Sequence, residues 1–254
     1  MVSTTGFTLA GLNLRQVGWD IGSVSGWDGW PGKRLQETVY GYRHGAQMDD
    51  RGFYKARSMA LAISVHPFLP AGGGSDDPAE HIQSNVDDLL GALHNVNDTL
   101  VLSRAMPDGT TRTIDVYPIQ AFSLARGTGP VGRQFGLLLR APYPFWEQTV
   151  LQSQNGETGA FTATNLGNAP IGNMVVTFNT LGTLTHDASG DFVTVTESGL
   201  IVRMGDRTVK SGATHKDNKL TVNRAWWLQM EPGSNAFTVS GGGNIDLDWF
   251  HHFF

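Results

Sequence analysis

The chain of 254 residues contains no cysteine. Disulfide scaffolds, cysteine-ligated zinc and thiol catalysis are therefore excluded. Charge is also scarce. Asp, Glu, Lys and Arg make up 16% of the residues, against about 25% in an average soluble domain. So thinly charged a surface is expected to be covered by other subunits, which is not the habit of a free enzyme. Positive charge is in shortest supply: the formal net charge of −5 leaves no surplus to neutralise phosphate. That disfavours a nucleic-acid-binding surface, but it suits a wall past which DNA slides without sticking. Apolar runs such as Gly136-Leu137-Leu138-Leu139 are far too short to span a bilayer. Met1–Gly6 has no basic segment leading into an apolar core, so no secretory signal or membrane anchor is expected. The chain is expected to be made and assembled in a cytoplasm. G-x-S-x-G and H-E-x-x-H motifs are absent as well, which removes the common nucleophile and zinc signatures.

What the chain does have is turns and short strands. Glycine is abundant at 32 residues, and the length suits one large or two ordinary domains. The first half holds one helix signal. Asp77 is placed as N-cap, Pro78 at the first helical position, and Glu80 completes a capping box. Ile82, Val86, Leu89, Leu90 and Leu93 follow at helical spacing, and the helix should stop near His94-Asn95. Before it, Pro67–Gly74 reads as a long flexible connection. Met59, Leu61, Ile63 and Val65 alternate as in a half-buried strand. Leu100–Leu102 and Thr113–Tyr117 face each other across a Pro107-Asp108-Gly109 turn. Phe135–Arg140 makes a further strand, which runs into Ala141-Pro142-Tyr143-Pro144-Phe145-Trp146. Two prolines there cut a ladder and resist helix, marking a boundary between a domain at 1–145 and another at 146–254.

The second half reads as all β. Strands are expected at Gly159–Thr164, Met174–Phe178, Phe192–Thr196, Leu200–Met204, Lys219–Asn223, Trp226–Gln229, Ala236–Val239 and Asn244–Trp249. Their spacing suits a jelly-roll or galectin-like sandwich. Near its end the chain reads W-x-L-x-x-x-P-G-x-N-x-F-x-V from Trp226, then Gly241-Gly242-Gly243 and a last strand. Pro232-Gly233 supplies a turn with one preset and one permissive φ, Asn235 can bond across it, and Phe237 and Val239 alternate into a core.

These closing strands resemble those of the distal tail protein (Dit) family of long, flexible-tailed bacteriophages. Two further segments carry the resemblance. One is Asn165-Leu166-Gly167-Asn168-Ala169-Pro170 leading into Met174–Phe178, similar to the family's N-x-G-x-x-x-x-P stretch. The other is the first half's order of strand, loop, single helix, hairpin, strand and Ala-Pro-Tyr-Pro junction. The aromatic-glycine segment Trp19–Pro31 departs from the family pattern. The resemblance implies a mainly β protein with a tail-tube-like N-terminal domain carrying one helix, followed by a galectin-like β-sandwich. It further implies a non-enzymatic virion component of the tail tip. Six copies would form a homohexameric ring that joins the tail-tube protein to the baseplate hub, a tail-associated protein or other tail-tip proteins and continues the DNA channel.

No residue cluster reads as a catalytic, cofactor or metal site. His251-His252 lies near Asp246 and Asp248, but adjacent strand histidines point to opposite faces and chelate poorly together. Surface polar groups, on a strand whose aromatics (Trp249, Phe250, Phe253, Phe254) dock on a neighbour or on the other domain, are the simpler reading. Asp87-Asp88 reads as a solvated helix face. The glycine stretches at 71–74 and 241–243 lack the context of a phosphate loop. Trp226 and Trp227 alternate on their strand, so one should face outward. An outward tryptophan can stack on a sugar, which leaves a carbohydrate-binding host-recognition module as the alternative function.

Overall fold

The computed structural model describes residues 6–14, 19–28, 31, 36–39, 46–49, 54–67, 77–93, 99–124, 133–223 and 228–254. Most of the Pro67–Gly74 connection, the expected helix stop at His94-Asn95, and Trp226-Trp227 lie outside these residues. The chain divides into two compact units, Met1–Trp146 with Phe254, and Glu147–Phe253.

The first unit contains strands β1 (Phe7–Leu9), β2 (Leu12–Asn13), β3 (Trp19–Ser25), β4 (Gln36–Val39), β5 (Ala46–Asp49) and β6 (Arg57–Val65). Helix α1 (Pro78–Leu93) and strands β7 (Leu100–Ala105), β8 (Thr111–Leu124) and β9 (Arg133–Ala141) follow. Seven strands lie side by side in the order β2-β1-β7-β8-β9-β6-β3, and each of these neighbours pairs antiparallel. Period-2 alternation selects the core face. Met59, Leu61, Ile63 and Val65 on β6 are buried, as are Leu137 and Leu139 beside them on β9. The β7–β8 hairpin forms as expected and pairs Leu100 with Val116 and Leu102 with Ile114. Its turn is tied by Thr110, whose N–H donates to Asp108 Oδ1 at 2.9 Å. The second hairpin strand runs well beyond Tyr117, straight through Pro118. A register shift between Pro118 and Gln120 absorbs the missing donor.

Helix α1 starts as expected: the Ala79 N–H donates to Asp77 Oδ1 at 2.8 Å. Its buried stripe is Ile82, Asn85, Val86, Leu89 and Leu93. Leu90 is 41% exposed and does not belong to it. Asn85 takes the inner place because it has polar work there. Its side-chain amide donates to the His66 carbonyl at 2.8 Å, while the backbone carbonyl of the same residue accepts from Trp19 Nε1 at 3.1 Å. The helix is thus pinned to the end of β6 by a buried side-chain amide and to β3 through its own backbone. Two leucines one position apart should therefore behave differently. Leu89→Ala is expected to cost about 2–5 kcal/mol and Leu90→Ala less than about 1 kcal/mol, measured by denaturant unfolding. Equal losses would mean that the stripe is misassigned.

The second unit starts within β10 (Trp146–Gln148) and continues with β11 (Gln152–Glu157), β12 (Gly159–Asn165), β13 (Val175–Phe178), β14 (Gly182–His186) and β15 (Asp191–Val195). It closes with β16 (Leu200–Arg203), β17 (Thr208–Ser211), β18 (Thr214–His215), β19 (Leu220–Val222), β20 (Gly233–Ser240), β21 (Ile245–Trp249) and β22 (His252–Phe253). One sheet has the order β11-β21-β13-β16-β17-β18, the other β12-β20-β14-β15-β19. Both contribute to one core: Val176, Phe178, Val202, Ile245 and Leu247 come from the first sheet, Leu184, Val193, Phe237 and Val239 from the second. This is an antiparallel β-sandwich. The expected strand at Trp226–Gln229 is corrected for its described residues. Leu228 is buried outside any strand, and Met230 instead exchanges two backbone hydrogen bonds with Ile171, at 2.8 and 3.0 Å.

Candidate functional site

The sequence fingerprints of the second unit converge on one corner. β12 and β20 pair so that Asn165 lies opposite Gly233 and Ala163 opposite Asn235. Segments almost seventy residues apart in sequence are thus cross-strand neighbours. Asn235 bonds across the Pro232-Gly233 turn as its position promised. Its Oδ1 accepts from the Glu231 N–H at 2.9 Å, and its Nδ2 donates to the carbonyls of Glu231 at 2.8 Å and Gly233 at 3.0 Å. Gly233 has a φ of +97°, a conformation that side-chain-bearing residues rarely adopt. Asn165 closes the opposite loop in the same manner. Its Nδ2 donates to the Ala169 carbonyl at 2.8 Å, and its Oδ1 accepts from the Gly167 N–H at 2.9 Å.

His251 and His252 belong to this corner and are not surface groups. Their relative exposures are 3% and 0%. The Leu166 N–H donates to His251 Nδ1 at 3.2 Å, and the Ala169 N–H donates to the His252 carbonyl at 3.1 Å. His252 Nδ1 donates to the Pro170 carbonyl at 3.0 Å, and its Nε2 lies 3.4 Å from Glu147 Oε1. Glu147 Oε1 also accepts from Asn173 Nδ2 at 2.6 Å. Burial, and then the neighbouring His252, hold the His251 imidazole below its ordinary pKa. Asp246 and Asp248 do not join the histidines. They alternate with buried Ile245, Leu247 and Trp249, and serve β11 by accepting from the Gly156 N–H and from Ser153 Oγ. The pair of histidines therefore holds the end of the chain to the 165–170 loop. No group of three or more potential metal ligands occurs among the described residues.

The remaining sequence candidates have ordinary surroundings. Asp87 and Asp88 are exposed, and Asp87 accepts a hydrogen bond from Gln83 one helical turn away, at 2.9 Å. Gly241–Gly243 is the turn joining β20 to β21. The 71–74 stretch and the tryptophans 226 and 227 lie outside the described residues.

The aromatic segment at the start of the chain has a structural task that sequence reasoning missed. Trp27 is 4% exposed, edge-on to Phe7 at 4.5 Å between centroids and tilted against Trp146 at 5.8 Å. Its carbonyl accepts from Trp146 Nε1 at 3.1 Å and from the buried Arg57 guanidinium. Burial lowers the Arg57 pKa, and nearby Asp28 partly offsets this. Asp28 itself pairs with Arg104 at 2.7 Å. The outward positions of the same sheet carry little charge. Ser58, Ala60, Ala62, Ser64, Leu138 and Tyr117 occupy them, with Asp20, Asp115 and Arg140 as the ionisable groups. β3 stands at the end of the strand order, where one edge of its backbone has no partner strand among those described.

No protein-family model matches the chain, and no curated protein matches it. Solved structures do. One is the Dit (gp 19.1) protein of phage SPP1, described as a paradigm of the hub adsorption apparatus in phages that infect Gram-positive bacteria. It is 15% identical, superposes with a TM-score of 0.67, and the match covers 98% of this chain and 100% of that one. Another is the phage P2 baseplate in its activated conformation with calcium, 9% identical with a TM-score of 0.46, covering 93% of this chain and 92% of that one. Both units of this chain together therefore have the fold of the SPP1 Dit protein.

Proposed function

We propose that this chain is a non-enzymatic structural protein of the tail tip of a long-tailed bacteriophage. The observation that carries the reading is the correspondence with SPP1 Dit over the whole of both chains at a TM-score of 0.67. In this reading six copies close into a ring through the first unit, and the ring joins the tail tube to the baseplate hub or fibre. The second unit is a docking platform for other tail-tip proteins. The edge of β3 that pairs with no strand among the described residues supports the ring, since an open strand edge is a liability in a monomer and a joint in an assembly. A head-to-tail interface repeated around an axis closes without leaving that edge free. The nearly uncharged outward face of the sheet and the net charge of −5 support passage of DNA without adhesion. No helix among the described residues is long and apolar enough to cross a membrane.

Negative-stain electron microscopy of the purified full-length protein is expected to show six-fold rings at high protein concentration. A monomer at every concentration would overturn the ring. The same preparation is expected not to retard duplex DNA at physiological salt, whereas a salt-sensitive shift at sub-micromolar protein would overturn the sliding-wall reading. Sugar recognition by the second unit depends on Trp226 and Trp227, and no described feature favours it. A glycan array decides that alternative.

A further inference from the structure

We propose that His251 is a proton-released latch: in its neutral form it holds the 165–170 loop against the end of the chain, and protonation frees both. The Leu166 N–H can only donate, so His251 Nδ1, 3.2 Å away, must present a lone pair. The neutral ring then carries its proton on Nε2. Adding a second proton consumes that lone pair and turns an attractive contact into two donors facing each other. No rotation of a backbone amide can repair this.

The neighbouring ring makes the position more exacting. His252 is fixed the other way round, with Nδ1 donating to the Pro170 carbonyl at 3.0 Å. Its Nε2 faces Glu147 Oε1 at 3.4 Å, on the adjoining β10. Glu147 can therefore compensate charge on His252, while a charge on His251 meets the second imidazole beside it. The loop contributes backbone groups and the Asn165 amide to this corner. β10 adds the Gln148 N–H, which donates to the His251 carbonyl at 2.9 Å. The ionisable groups that bear on the latch are thus His252 and Glu147.

Burial and His252 lower the His251 pKa in the folded protein. A lowered folded value means that the unfolded or released segment binds the proton more readily. The latch is then fully closed above about pH 6.5, the ordinary value for histidine, and opens as the pH falls through the lower folded value. Release should be local. The loop joins the last residues through His251, the His252 carbonyl and the His252 ring, whereas the other buried histidine of the sandwich, His186, bonds Ser189 Oγ on a different loop. This device does not depend on the tail-tip reading.

The test is amide hydrogen exchange on the full-length protein. After correction for intrinsic chemistry, exchange at Leu166 and Ala169 is expected to accelerate by about tenfold or more between about pH 7.5 and about pH 5, with core amides such as Val176 unaffected. His251→Asn offers an acceptor at the position of Nδ1 without titrating, and should flatten that response. Histidine nitrogen chemical shifts of the wild-type protein should show His251 as the neutral Nε2–H tautomer at the higher pH. The proposal is overturned by pH-independent exchange at Leu166, by the opposite tautomer, or by a response that His252→Asn abolishes and His251→Asn does not. If His251→Asn does not fold, the wild-type tautomer and exchange profile decide on their own.

Discussion

Phe237→Ala is expected to destabilise the second unit by about 3–5 kcal/mol, the range for truncating a buried aromatic. Phe237 has no exposed surface. Its ring stacks on Phe161 at 5.5 Å between centroids and leans on the His186 ring at 5.0 Å. These neighbours come from the strands on either side, for Phe237 pairs with Phe161 on β12 and with His186 on β14. A strand hydrogen-bonded along both edges cannot settle inward to fill a void, so the cavity term should be felt nearly in full. The change can be read from hydrogen exchange at Val176 and Leu184, deep in the same core. Because that readout is confined to the second unit, it avoids fitting one transition to a protein of two units. A loss below about 1 kcal/mol would mean that the ring is replaceable, and that the closing fingerprint serves an interface and not a core.

The strands most legible in the sequence were those whose inward positions are filled by large apolar residues. β6 is the clearest, with Met59, Leu61, Ile63 and Val65 at alternate positions, all buried. β14 shows why others were missed. Its pattern alternates just as regularly, but the inward residues are Gly182, Leu184 and His186, so a count of apolar residues registers one. β11 reads Gln-Ser-Gln-Asn-Gly-Glu and has no buried position at all. It is an edge strand held by its pairing with β21. The same limit explains Leu90. Helical spacing admits it next to Leu89, but the inner place goes to Asn85, and only the His66 carbonyl that its side chain reaches reveals that.

The corner built by Asn165, Asn235 and the histidines was legible in its parts and not in its assembly. Local geometry foretold the turn at Pro232-Gly233 and the bond from Asn235, because both lie within a few residues of one another. The burial of His251 and His252 could not be foretold that way. It depends on a loop more than eighty residues earlier in the chain lying over them. Adjacent histidines beside two aspartates look alike in sequence whether they face water or a backbone. The signal that could have found the arrangement is Gly167, a glycine between two asparagines where nothing in the turn itself demands one.

Gly167→Ala is accordingly expected to be among the most damaging single-methyl additions to this chain. A Cβ at that position would fall on the His252 carbonyl oxygen, 2.7 Å from the carbonyl carbon and 2.8 Å from the backbone nitrogen of the same residue. Every obstructing atom is backbone, so no side chain can swing aside. The loop and the end of the chain must part. Parting them sacrifices the Leu166–His251, Ala169–His252 and Pro170–His252 hydrogen bonds together. At about 0.5–1.5 kcal/mol net for each, the loss should be on the order of 2–4 kcal/mol. Gly91→Ala provides the matching control. A Cβ there meets nothing within 4 Å, and the residue sits on an exposed turn of α1. Alanine at a helical position of that kind should stabilise by about 0.5–1 kcal/mol. The same chemical change is thus expected to have opposite signs at the two sites, and amide exchange in each unit measures it. Should Gly167→Ala leave exchange at Ala169 unchanged, the loop does not lie on the end of the chain, and the latch assigned to His251 would lose its footing with it.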